Sequence, residues 1–163
     1  MRFDVNDETI VFSKNQIKEF EKTEKGKWRY SNVEAWRGIA CEIIISDWLE
    51  ENFNVIIRAK GLDTTGNYDG CDMVIGNKKV EIKSATRNYF KYIMHKKYDI
   101  INSPKDIYIG AKYNDTKSPN EVVLLGYIYH SEILSYPIKK NKGAPYFEIP
   151  MLAFKDISEE IFI

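Results

Sequence analysis

Apolar positions along the chain change their period several times, and each change marks an element. After Ser13, a residue suited to an N-cap, Ile17 and Phe20 stand among charges in 14–24, which predicts a short amphipathic helix ending before Gly26. Trp36, Ala40, Ile43, Ile44 and Trp48 recur at helical spacing and should face a core. They predict a longer helix from Ser31 or Asn32 to Glu51, opened by a capping box in which Glu34 follows Ser31 by three residues. Asn52, Phe53 and Asn54 end it.

Strand patterns follow. The β-branched run 55–57 reads as a strand, 61–70 as a polar loop, and 71–75 and 79–84 as two strands separated by Gly76-Asn77, residue types that suit a tight hairpin turn. The basic, aromatic stretch 89–101 predicts a partly helical segment, closed by Pro104. Segments 106–113 and 121–129 read as strands joined by an exposed loop, and a short helix should start at Ser131. A basic Gly/Pro loop at 139–145 leads to a predicted edge strand at 146–149, limited by Pro150. No internal repeat or low-complexity segment interrupts this alternation, and the class it predicts is α/β.

Composition narrows the function. The 163 residues suit one domain, 1–163, and 44% hydrophobic with 29% charged residues is ordinary for a globular chain. No apolar run approaches the ~20 residues a bilayer span needs, so no membrane partner is expected. The acidic start lacks the basic and apolar regions of a secretory signal, which predicts a cytoplasmic protein. Cys41 and Cys71 form no CxxC and have no paired histidines, so both are expected to be reduced, packed thiols. Net charge is zero, so any contact with a polyanion must be local. Between Lys78 and Lys97 there are seven Lys or Arg and a single acid, Glu81. That stretch can face phosphates, although a charge run by itself more often only keeps a surface wet.

The acid stands at the centre of the chemistry. If Gly76 and Asn77 are the turn, Ile75 faces Lys78, and counting outward pairs Val74 with Lys79, Met73 with Val80 and Asp72 with Glu81. Alternation puts Glu81 and Lys83 on one face with Asp72, and Val80 and Ile82 on the other. Opposed like charges destabilise such a pair by up to about 1 kcal/mol unless something neutralises them. A divalent cation would do so. One or two carboxylates, a main-chain carbonyl such as that of Ile82, and waters are a ligand set that Mg2+ prefers and Mn2+ accepts. Lys83 is placed to orient a metal-bound water or to take its proton, with its own pKa depressed by the cation.

Asp72, eight residues, then Glu81-Ile82-Lys83 resembles the PD-(D/E)XK signature of restriction-endonuclease-like nucleases, and Gly38-Ile39-Ala40-Cys41-Glu42 resembles the helical segment whose glutamate reaches the metal site. The likeness spans roughly 31–130, and Cys71 stands where the family name calls for proline. It implies an αβββαβ core with a mixed central sheet, the Ser31 helix on one side and 89–101 on the other. It further implies Asp72, Glu81, Lys83 and Glu42 as catalytic residues, Mg2+ held by Asp72, Glu81, Ile82 and Glu42, and hydrolysis of a phosphodiester, foremost in DNA. Asp69 and Asp63 compete with Asp72 as metal ligands.

Arg87, Lys91, Lys96 and Lys97 are the expected nucleic-acid contacts, with Tyr68, Ser84 and His95 as lesser candidates and Tyr89 and Tyr92 available for stacking. His95, which lies in a basic aromatic stretch with no partner histidine, and His130, remote in sequence, are assigned no catalytic role. Two alternatives remain: a catalytically silent nucleic-acid-binding module, and a protein-interaction domain whose docking surface is the basic stretch. A homodimer is admitted, but nothing in the sequence marks its surface.

Overall fold

The computed structural model describes residues 1–22, 34–57 and 72–163. Its elements are β1 (Arg2–Asp4), α1 (Asp7–Glu21), α2 (Ala35–Asn52), β2 (Val55–Ile57), β3 (Met73–Ile75), β4 (Lys78–Ala85), β5 (Tyr92–Lys96), α3 (Lys97–Asn102), β6 (Ile107–Asn114), β7 (Glu121–Tyr129), α4 (His130–Ile133), β8 (Ile138–Lys139) and β9 (Tyr146–Pro150), with two 3-10 turns near the end. Six strands form one mixed sheet in the order β1-β7-β6-β4-β3-β2, in which only β4 and β6 run parallel. A second sheet, β5-β9-β8, is antiparallel. The fold is α/β with a mixed sheet, as its alternation predicts.

Two apolar clusters lie on the two faces of the large sheet. One joins α2 to the strands through Ala40, Cys41, Ile45 and Leu49 against Val80, Ile82, Ile107, Ile109, Val122 and Leu124. The other joins Ala85, Tyr108 and Ile128 to the inner face of the small sheet, Ile93, Phe147 and Ile149. A strand offers its side chains alternately to opposite sides, so β4 contributes to both.

Several boundaries differ from the sequence expectation for physical reasons. The first helix starts at Asp7, where the Asn6 side chain accepts from the Thr9 N–H at 2.8 Å and Asp7 and Glu8 occupy the favourable first turn. Ser13 is therefore inside α1, fully buried, rather than its cap. In α2 the buried stripe is Ile39, Ala40, Cys41, Ile45, Ser46 and Leu49, so of the predicted facing residues only Ala40 lies at its centre. Trp36 and Trp48 sit at the margins, edge-on to Tyr113 and Phe53. Small side chains let the helix approach the sheet where an indole would hold it off. Ser31 and Asn32 lie outside the described residues, as do Tyr68, Cys71 and the 61–70 segment.

The segment 89–101 is helical only in its second half. Residues 92–96 form β5, with Ile93 and His95 buried and Tyr92, Met94 and Lys96 exposed, and only the six-residue α3 is helical. Its period is two, which the run of aromatic and basic residues disguises. The segment does lie across the sheet from α2, with a strand preceding the helix expected there. The predicted edge strand at 146–149 is central, because β9 has β5 on one side and β8 on the other.

Candidate active site

The hairpin is local, and three of the four counted pairs form its ladder, which ends before Asp72. Met73 faces Val80, Val74 faces Lys79 and Ile75 faces Lys78. Gly76 takes φ +60°, while among the described residues none other than glycine has a positive φ, the pattern of a two-residue turn that needs glycine at its first central position. A Cβ on Gly76 would also fall 2.4 Å from the Phe162 carbonyl oxygen. The turn and the C-terminal 3-10 segment therefore both require glycine there.

Asp72 lies at the mouth of this hairpin, 7% exposed, and its Oδ2 accepts from the Ile82 N–H at 2.8 Å. Glu81, 8% exposed, faces the small sheet, because Val80 and Ile82 on either side of it face α2. The Lys83 Nζ pairs with Glu81 Oε1. The Lys105 Nζ stands 3.8 Å from Glu81 Oε2 and donates to the Ser103 hydroxyl at 2.9 Å. The expected repulsion between Asp72 and Glu81 is thus offset within the protein by two ammonium groups.

Burial of the Lys83 side chain pushes its pKa down, but the charge and hydrogen bond of Glu81, with Asp72 and Asp99 adding to them, more than reverse this. Lys83 titrates above the ordinary lysine value. This is its state without a metal ion, and a divalent cation bound by the same carboxylates would draw on the charge that now raises it.

Three further residues complete the site. In the parallel ladder Glu81 lies beside Tyr108 and Lys83 beside Gly110. The Tyr108 hydroxyl accepts from the Lys105 N–H at 3.0 Å, and burial pushes its pKa up to about 12. The His95 ring stands edge-on to Tyr108 at 5.1 Å and is 1% exposed. Burial first, and then the charge of Lys83, push its pKa down to about 3, so the imidazole is neutral at physiological pH. Neither of its ring nitrogens has a hydrogen-bond partner among the described residues. A neutral imidazole carries one donor and one acceptor, and burying both unsatisfied is costly. His130 meets the other side of Tyr108 and bonds the Ile100 carbonyl at 2.9 Å.

Asp72, Glu81 and Lys83 are therefore brought together on one face, and Ile82 lies between the last two. Glu42 is half-buried on α2, which packs on the opposite face. Its neighbour Cys41 is fully buried, bonds Ser84, and has a thiol pKa pushed up to about 12 by burial, as expected of a packed thiol. Ser84 accordingly faces α2, where Gly38 is close enough that a Cβ would be 3.4 Å from its hydroxyl. It is not on the carboxylate face. Arg87 turns toward Glu34, at 3.7 Å, and over the Tyr89 ring. Lys91, Lys96 and Lys97 are exposed on the small sheet and the start of α3.

Lys105, Tyr108 and Asp99 are members that sequence reading missed, and His95 was named there only as a lesser nucleic-acid contact. The alternation Tyr92, Met94, Lys96 against Ile93 and His95 was a usable signal for the last of them. Among the described residues no three His, Cys, Asp or Glu side chains are grouped closely enough to hold a metal ion. Asp63 and Asp69 lie outside those residues. Two carboxylates and a main-chain carbonyl remain a donor set that suits a hard cation retaining several waters. No helix among the described residues is long and apolar enough to cross a membrane. No protein-family model, curated protein or solved structure matches the chain.

Proposed function

We propose that the chain is a metal-dependent nuclease of the PD-(D/E)XK kind, hydrolysing phosphodiester bonds in DNA. The observation that carries the reading is the convergence of Asp72, Glu81 and Lys83 at the open end of the β3-β4 hairpin. Asp72, Glu81 and the Ile82 carbonyl would hold Mg2+, or Mn2+ in its place, whereas Glu42 belongs to the α2 side of the sheet. When bound, the ion lowers the pKa of a coordinated water and draws charge from a phosphate oxygen.

The chain's own part follows from its charges. Lys83, protonated, orients the attacking water and stabilises negative charge as it grows on phosphorus-bound oxygen. Lys105 places a second ammonium 3.8 Å from Glu81 Oε2. The Asp72 bond to the Ile82 N–H fixes the strand whose carbonyl is a ligand. Lys91, Lys96 and Lys97 would supply phosphate contacts, whereas Arg87 is already engaged by Glu34.

The test is cleavage of linear, nicked, branched and single-stranded DNA with Mg2+ or Mn2+, with EDTA and Lys83→Ala as controls. Metal-dependent cleavage that Lys83→Ala abolishes is the expected result. No cleavage of any substrate by the folded wild type with either ion would sink the reading.

One observation favours a second reading. Glu81 is already compensated by Lys83 and Lys105, as it would be in a silent binding module whose charged cluster only holds strands together. A melting temperature unmoved by Mn2+, together with retained DNA binding, would decide for it.

A further inference from the structure

The outer face of the small sheet carries exposed aromatic and basic side chains together. Alternation along β5 sends Tyr92, Met94 and Lys96 outward. Their antiparallel partners Pro150, Glu148 and Tyr146 on β9 share that face, and Lys139 of β8 lies beside Tyr146. A row Lys96, Tyr146, Lys139 therefore crosses all three strands, with Met94 and Tyr92 continuing along β5. Tyr89, Tyr92, Met94 and Tyr98 are 66%, 45%, 54% and 73% exposed, four large apolar side chains within ten residues. Exposed apolar surface gathered in this way marks a binding face.

Charge identifies the occupant. Lys91, Lys96, Lys97, Lys139, Lys140 and Lys142 are all exposed around these rings, with Glu148 the one acid on the sheet face. The partner must be a polyanion that also offers flat apolar rings, and in duplex DNA the base faces are hidden by stacking. Tyr92 and Tyr146 are two same-face steps apart, roughly 13 Å along the strands, which gives two separate stacking positions with Met94 between them. The β5 edge of the platform is joined to the end of β4, and so to Lys83, by residues 86–91.

We infer that the outer face of the β5-β9-β8 sheet is a stacking platform for single-stranded DNA. The choice of polymer rests on the nuclease reading. Aromatic stacking supplies affinity that does not depend on base sequence, and the lysines supply the salt-dependent part.

The test uses the full chain in EDTA and fluorescence anisotropy of labelled oligothymidylate, an abasic strand of equal length, oligouridylate and a duplex. Oligothymidylate should bind about tenfold more tightly than the abasic strand and more tightly than the duplex. Tyr92→Ala should lower that affinity to near the abasic level, and Tyr92→Phe should restore it. Equal affinity for the abasic strand, a preference for duplex, or no effect of Tyr92→Ala overturns the platform. Tighter binding of oligouridylate assigns it to RNA instead, and a dimer that Tyr92→Ala dissociates assigns it to a second copy of the chain. Cleavage with Mn2+ is scored separately. Activity without a stacking preference removes the platform alone, and stacking without activity on any DNA removes the nuclease reading alone.

Discussion

The two faces of the large sheet are built from the same strands and put them to opposite uses. On the α2 side, β4 and β6 present Val80, Ile82, Ile107 and Ile109 to a dry layer of aliphatic and small residues. On the other, the same two strands present Glu81, Lys83 and Tyr108, next to Lys105 and His95, all under or beside the small sheet. One face gains stability from apolar area removed from water. The other buries charge, whose desolvation is offset only while every member keeps its partner. Strain of this kind tends to sit where function needs it. The contrast predicts that the faces can be damaged independently.

The largest effect is expected on the apolar face. Leu49→Ala removes a fully buried side chain from the α2 layer and should cost about 2–5 kcal/mol of stability, with turnover per folded molecule unchanged. Urea denaturation and an assay well below the midpoint separate the two quantities. A variant equally stable but slower would mean that the faces are coupled.

Next is Lys83→Ala, which should lower turnover by roughly 100-fold or more, the scale of a lost group that orients water and stabilises charge. The melting temperature, measured alongside, should fall far less than in Leu49→Ala. A correctly folded variant with unchanged cleavage takes Lys83 out of the mechanism.

His95 tests what burial does on the charged face. Its pKa is held at about 3, below the ordinary 6.5, so between these values the unfolded chain binds a proton that the folded chain does not. The stability associated with it is complete above pH 6.5 and is lost as pH falls toward 3, at up to about 1.4 kcal/mol per pH unit. His95→Phe keeps a ring against Tyr108 and should flatten this dependence between pH 6.5 and about 4.5. Equal slopes for both proteins would show that His95 is solvated.

The smallest effect separates repulsion from bonding at Asp72. If opposed carboxylates strained the hairpin, Asp72→Asn would be at least as stable as wild type in EDTA. With Lys83 and Lys105 offsetting the charge and Asp72 Oδ2 bonded to the Ile82 N–H, it should instead lose about 1 kcal/mol. Paired thermal melts in EDTA and Mn2+ read this directly, and a full Mn2+ shift retained by the variant would move the metal ligand away from Asp72.

What the sequence determined by itself was local. A two-residue turn at Gly76-Asn77 allows one pairing, and period-two alternation then carries Glu81 and Lys83 to one face and Val80 and Ile82 to the other, with no information needed from farther along the chain. The strands 107–114 and 121–129 were legible for the same reason, being long and apolar. Tertiary structure decided the rest. Tyr108 and Lys105 reach Glu81 because β6 lies parallel to β4, a pairing across a crossover of more than twenty residues that no local pattern encodes. His95 is buried because β9 supplies Phe147 opposite it and Tyr108 closes over it, and the same pairing makes a strand of a stretch whose aromatic and basic composition suggested a helix. The charge state of Lys83 belongs to this second class as well. Its neighbours Glu81, Asp72 and Asp99 come from three separate stretches of the chain, and Coulomb energy depends on their distance in space, to which separation along the chain is no guide.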